Sequence, residues 1–111
     1  MSAEIDQKVS AIRDRFVRKT AAREEALREM ISRLQSPDWH GSAREAAQMG
    51  HSLAGAAGTF GFDTLGKCAD DVERQADLLL ASGGTDTRAL QSACKRLLEE
   101  ISLISATRIK S

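Results

Sequence analysis

Apolar residues recur at steps of three and four through nearly the whole chain, and this periodicity limits the fold more than any other feature. Such spacing marks one face of an α-helix, because about 100° of rotation per residue returns these positions to the same side. Ile5, Val9, Ile12 and Phe16 begin the series. It weakens at Lys19, Thr20 and Arg23, then resumes at Leu27, Met30, Ile31 and Leu34. Leu65, Cys68, Val72, Ala76 and Leu79 form a later stripe, and Leu90, Cys94, Leu97, Ile101 and Ile104 the last. Each stripe must be covered by another, and the short connections between them make neighbouring helices antiparallel. The expected fold is therefore all-α: an antiparallel four-helix bundle with an additional short N-terminal helix or a kinked first helix. The expected helices are about 4–18, 20–35, 43–60, 64–82 and 86–108, in one domain covering 1–111, with the first join near Lys19–Thr20.

Punctuation residues set the boundaries. Ser36-Pro37 opens the first clear connection and fits an N-cap followed by proline. Ser42 and Glu45 have the spacing of a capping box, which starts the next helix near Ala43. Gly61 is the expected stop of that helix and Asp63 the next N-cap. Ser82-Gly83-Gly84 ends the following helix, and Thr85 or Asp86 caps the last. Trp39, the only tryptophan, is expected to cover the end of the core from its loop.

The segment from His51 to Gly61, His-Ser-Leu-Ala-Gly-Ala-Ala-Gly-Thr-Phe-Gly, is helical by its surroundings yet rich in glycine. Gly50, Gly55 and Gly58 each cost roughly 1 kcal/mol against alanine in a helix interior. Two reasons can justify that cost: close packing of helix backbones, or close approach of a partner. Ala46, Gly50, Leu53, Ala57 and Phe60 project onto one face, the core side, with Ala43 and Ala54 at its margins. His51 falls on a different stripe, with Arg44, Gln48, Gly55 and Gly58. The projection places a ring that titrates near neutral pH on a helix surface with bare backbone beside it.

These residues carry a family resemblance. His51, Leu53, Gly55, Gly58 and Gly61 resemble, without gaps, the pattern of histidine-phosphotransfer (HPt) domains of two-component phosphorelays. The resemblance implies a helical bundle in which His51 is the phosphorylated residue. It departs from the family at two positions. Ala54 stands where the family usually has lysine, and Glu73 aligns with a glutamine often found near the phosphoryl group. Both changes remove help for a negatively charged phosphoryl group.

Composition narrows the function classes. Sixteen basic and sixteen acidic residues cancel, which argues against a generally cationic nucleic-acid surface. No apolar run approaches the roughly 18 residues of a membrane span, and the first ten residues lack the apolar region of a signal peptide. The expected location is the cytoplasm. Cys68 and Cys94 lie on apolar faces and read as reduced core thiols. A zinc site built from them with His40 and His51 would lack any paired ligand spacing, so no metal site is expected. Arg13, Arg15, Arg18, Lys19 and Arg23 form a local basic cluster, which is either a solvated helix face or a docking surface for an acidic partner.

The chemistry implied by the resemblance is phosphoryl transfer to and from a histidine. A neutral imidazole nitrogen attacks the phosphorus of an aspartyl phosphate, and the transfer depends mainly on positioning and charge stabilisation. The implied partners are response-regulator receiver domains and a hybrid histidine kinase, with Mg2+ and the acceptor aspartate on the receiver. The chain itself is expected to bind no cofactor and to be a monomeric carrier, not an independent enzyme. Ala47, Ala54, Gly55 and Gly58 would let a receiver approach closely, and Arg44 or Gln48 is the nearest substitute for the missing lysine. Two further readings stand beside the carrier: a pseudo-HPt adaptor that binds a receiver or kinase without being phosphorylated, and a generic helical interaction bundle.

Overall fold

The structure, a computed structural model, describes the backbone of residues 2–110 and the side chains of residues 7–106. Four helices follow one another: α1 (Ser2–Arg33), α2 (Trp39–Phe60), α3 (Asp63–Ser82) and α4 (Arg88–Lys110). They pack as an all-α bundle around Leu27, Leu34, Leu53, Leu65, Val72, Leu90, Cys94, Leu97 and Ile101, all buried. Each of these residues lies on an apolar stripe visible in the sequence.

The first helix decides between the two expected alternatives. α1 is continuous across Lys19–Thr20, so no separate short helix precedes it. The physical reason is that the stripe does not break there. Val17 and Thr20 are both buried, which carries the core face from Phe16 to Leu27, and the segment contains no glycine or proline. Thr20 is polar but occupies a core position, and its Oγ1 has no hydrogen-bond partner among the described residues. The outer part of the stripe stays largely open to solvent. Val9 is 53% and Ile12 49% exposed, while Ile5 lies outside the described side chains.

α2 begins one turn earlier than the capping box implied. Trp39 is its first residue, and Ser42 is buried inside the helix. Two effects compete here. A capping box contributes about 1 kcal/mol, whereas burying a large apolar side chain contributes about 1.5–3 kcal/mol. Extending the helix to Trp39, which is buried, is therefore favoured. Ser36 shapes the preceding turn: its hydroxyl donates to the Arg33 carbonyl at 2.8 Å and accepts from the Asp38 N–H at 3.3 Å.

The α2–α3 connection fixes the site's scaffold. Gly61 adopts the left-handed conformation at φ 77°, and the Phe62 N–H reaches back to the Ala57 carbonyl at 2.9 Å. This is the reciprocal helix-stop geometry that favours glycine. Asp63 is the first residue of α3 rather than its N-cap, where its charge still complements the helix dipole. Phe16 stacks on Phe60 with centroids 5.1 Å apart and meets Phe62 at 5.6 Å, and the Arg13 guanidinium lies over the Phe62 ring. At the opposite end, Thr87 Oγ1 donates to the Leu34 carbonyl at 2.9 Å, tying the two loops together. Asp86 accepts the Arg88 N–H at the start of α4, from a position just before the helix.

Candidate functional site

Close contact between α2 and α3 creates the site. Gly50 is buried, and a Cβ at that position would stand 2.5 Å from the Ala69 carbonyl oxygen and 2.9 Å from the Glu73 nitrogen. The absent side chain lets the helices approach backbone to backbone. One residue further along α2, His51 turns outward, and its ring meets Glu73 on the neighbouring helix. Nδ1 of His51 and Oε2 of Glu73 are 2.9 Å apart. The histidine side chain is 80% exposed and the glutamate 27%.

The two glycines after His51 have a different explanation. A methyl group added at Gly55 or Gly58 would meet nothing within 4 Å. These glycines do not serve helix packing. They leave the backbone bare beside the ring, so the two reasons for helical glycine apply to different positions. Thr59, on the same surface, returns its hydroxyl to the Gly55 carbonyl at 3.2 Å.

The short contact to Glu73 also sets the proton on the ring. A carboxylate oxygen and an imidazole lone pair 2.9 Å apart would repel, so Nδ1 carries the hydrogen. In the neutral ring the lone pair then belongs to Nε2, on the side away from Glu73. The arrangement presents a nucleophilic nitrogen to solvent and fixes the tautomer from behind, as an orienting carboxylate does for other histidines. Sequence reasoning placed Glu73 near the site but read it only as lost help for a phosphoryl group. The close packing at Gly50 is the signal that sets the α2–α3 register and brings Glu73 beside the ring.

The remaining candidates divide by position. Ala47 and Ala54 are half-buried on the α3 side of α2, and Arg44 and Gln48 are exposed on the His51 side. Arg44 precedes His51 by two turns, roughly 10 Å of rise, and Gln48 by roughly 4.5 Å. Helical side chains slant toward the N-terminus, so both lean away from the ring. On α3, Asp70, Arg74 and Asp77 line a shallow depression together with Glu73.

The two cysteines are packing residues. Burial pushes the Cys94 thiol up to about 12. Burial and the nearby Glu100 also raise the half-buried Cys68. Both are free thiols with little thiolate character, which is the chemistry of packing residues. Cys68 is thus less enclosed than expected. Among the described residues, no three His, Cys, Asp or Glu side chains gather as metal ligands. No helix among them is long and apolar enough to cross a membrane.

Comparisons with curated proteins and with solved structures gave no match. The Hpt domain family model matches residues 11–106, which takes in all of α2 and α3 and most of α1 and α4. With the helical bundle and the outward histidine in the expected places, the chain belongs to the Hpt domain family.

Proposed function

We propose that His51 carries a phosphoryl group between receiver-domain aspartates in a multistep two-component phosphorelay. The observation that supports this most strongly is the exposed ring on α2, backed by Glu73 and flanked by bare backbone at Gly55 and Gly58. A rigid helix holds the nucleophile in one place, and the missing side chains give the donor phosphorus room for in-line approach. Ala47 and Ala54 extend the low-relief surface on which a receiver docks.

In this reading the receiver supplies Mg2+ and the aspartate, and a hybrid histidine kinase supplies phosphate upstream. The chain acts as a monomeric carrier in the cytoplasm and needs no cofactor of its own. Charge for the phosphoryl oxygens comes from the receiver or, if its long side chain folds back toward the ring, from Arg44, while Gln48 can offer only a neutral amide donor. Transfer rates and phosphohistidine lifetime in Arg44→Ala decide that point: unchanged values remove Arg44 from the mechanism.

An adaptor reading is favoured by one specific observation, Ala54 in place of lysine. The test mixes the protein with a phosphorylated cognate receiver and looks for an acid-labile, base-stable label. The carrier gains such a label and His51→Gln does not. Receiver binding without label supports the adaptor.

A further inference from the structure

The outer half of α1 carries an apolar face that its own bundle leaves open. Phe16 meets Phe60 and Phe62 where α2 gives way to α3. α1 begins at Ser2, so roughly 20 Å of helix precedes Phe16 and runs past that end of the bundle. The 55 Å long axis of the molecule, against roughly 33 Å for the 22-residue α2, reflects this projection. Val9 and Ile12 continue the Phe16 stripe outward and are exposed. They lie on the side of α1 that faces the bundle. The projecting helix and the bundle end therefore enclose an inside corner floored by aromatic rings. Charge marks the same place. Between Lys8 and Arg23 the sequence has six basic residues and one acidic, whereas the rest of this neutral chain has ten basic and fifteen acidic. On the helical projection Lys8, Arg15 and Lys19 border the stripe on one flank and Arg13 on the other, and all four are exposed. The Arg13 guanidinium stands 4.9 Å from the centre of the Phe62 ring, at the rim of the corner.

We propose that this corner docks an amphipathic helix with acidic margins from a partner protein, at a site separate from the His51 surface. Spacing, shape and charge select that occupant. Steps of four, three and four from Ile5 through Val9 and Ile12 to Phe16 make a narrow seam, the pattern that meets a second helix. A helix lying in a lipid surface presents a large apolar face, and a flat bilayer does not enter an inside corner. A second copy of the chain would bring its own basic α1 against this one, and like charges facing each other are unfavourable. Carboxylates on a partner helix would instead meet cations on both flanks of the seam. The site also stands clear of the histidine. α1 packs against α2 and α4, whereas the His51–Glu73 pair lies on the α2–α3 side. About 13 Å of helix separates His51 from Phe60. A helix seated in the corner leaves the ring open, so one partner holds the chain while His51 faces another.

Docking here requires no phosphoryl group, so it is tested on the unphosphorylated chain, and its failure leaves the carrier reading intact. Two synthetic peptides of about three heptads serve as probes. Both have leucine along the seam, and the flanking positions are glutamate in one and lysine in the other. Each is titrated into isotope-labelled chain and followed by NMR. The glutamate peptide should bind at least about 10-fold more tightly than the lysine peptide. It should shift the methyl signals of Val9 and Ile12 and the ring signals of Phe62, while the His51 ring signals stay in place. Raising salt from about 0.05 to 0.5 M should weaken binding several-fold. The double variant Val9→Ser/Ile12→Ser should lose about 10-fold in affinity. Its urea midpoint and its phosphorylation on His51 by phosphoramidate should match wild type, because both side chains are exposed. Lys8→Glu/Arg15→Glu should narrow or reverse the preference between the two peptides. Absence of binding, equal binding of the two peptides, or shifts centred on His51 overturns the proposal. So does sedimentation with phosphatidylglycerol vesicles in place of peptide binding, or self-association in analytical ultracentrifugation that is lost in Val9→Ser/Ile12→Ser.

Discussion

Gly50 of α2 and Ala69 of α3 meet so closely that a methyl group on Gly50 would stand 2.5 Å from the Ala69 carbonyl oxygen. The His51–Glu73 pair depends on this approach, because Glu73 is carried on the backbone that Gly50 touches. Gly50→Ala gains roughly 1 kcal/mol of helix propensity. It forces the helices apart at a cost of about 1–3 kcal/mol, since the obstructing atoms are backbone. The expected result is a lower urea midpoint, and a higher midpoint would contradict the packing argument.

Gly55 and Gly58 should behave oppositely. Alanine at either position meets nothing, so each substitution should raise stability by about 0.5–1 kcal/mol in urea unfolding. If the bare backbone receives a receiver domain, the same substitutions should weaken receiver binding and slow transfer several-fold. Stabilisation with unchanged transfer would separate these glycines from docking.

Thr20 offers a test of the core. Its hydroxyl is buried without a hydrogen-bond partner among the described residues, and valine has nearly the same shape without the polar atom. Removing an unsatisfied buried hydroxyl should stabilise the fold by about 1 kcal/mol. Thr20→Val should therefore raise the thermal midpoint by a few degrees, and a fall in that midpoint would show that the hydroxyl is satisfied in solution.

Asp71 links α3 to α4 through Arg96 at 2.8 Å and also pairs with Arg74. Burial pushes its carboxyl up, but the hydrogen bonds and charges of Arg96 and Arg74 together outweigh burial and hold it below the usual range. A carboxyl depressed in the folded state contributes stability above the unfolded-state value, near pH 4, and loses it as pH falls through the folded value. Asp71→Asn should cost about 1 kcal/mol at pH 7, and the difference should shrink in urea titrations below about pH 4. A constant difference across that range would assign the loss to packing.

The fold and the outward placement of His51 were legible in the sequence, and the exceptions have physical causes. The stripe through Leu53 and Ala57 placed His51 outward without any knowledge of contacts. Gly61 and Gly83 announced their helix stops, because both adopt positive φ. A break between two helices at Lys19–Thr20 was suggested because a buried threonine reads as polar in a pattern of apolar residues, and α1 instead runs through unbroken. The start of α2 was misplaced because the capping signal at Ser42 is local, whereas the burial of Trp39 depends on the tertiary core. Glu73 was named but its role was missed. Which ring nitrogen it faces follows from the α2–α3 register, and that register comes from the Gly50 contact rather than from either helix alone.

The most direct measurement is a reconstituted relay with two receiver domains, one carrying labelled aspartyl phosphate and one initially empty. The account predicts that label reaches the second receiver only when the chain is present with His51 intact, passing through an acid-labile species on the chain. Transfer at the wild-type rate with His51→Gln, or receiver binding by the wild-type chain with no label ever passing through it, would contradict the assignment of His51 as the carrier.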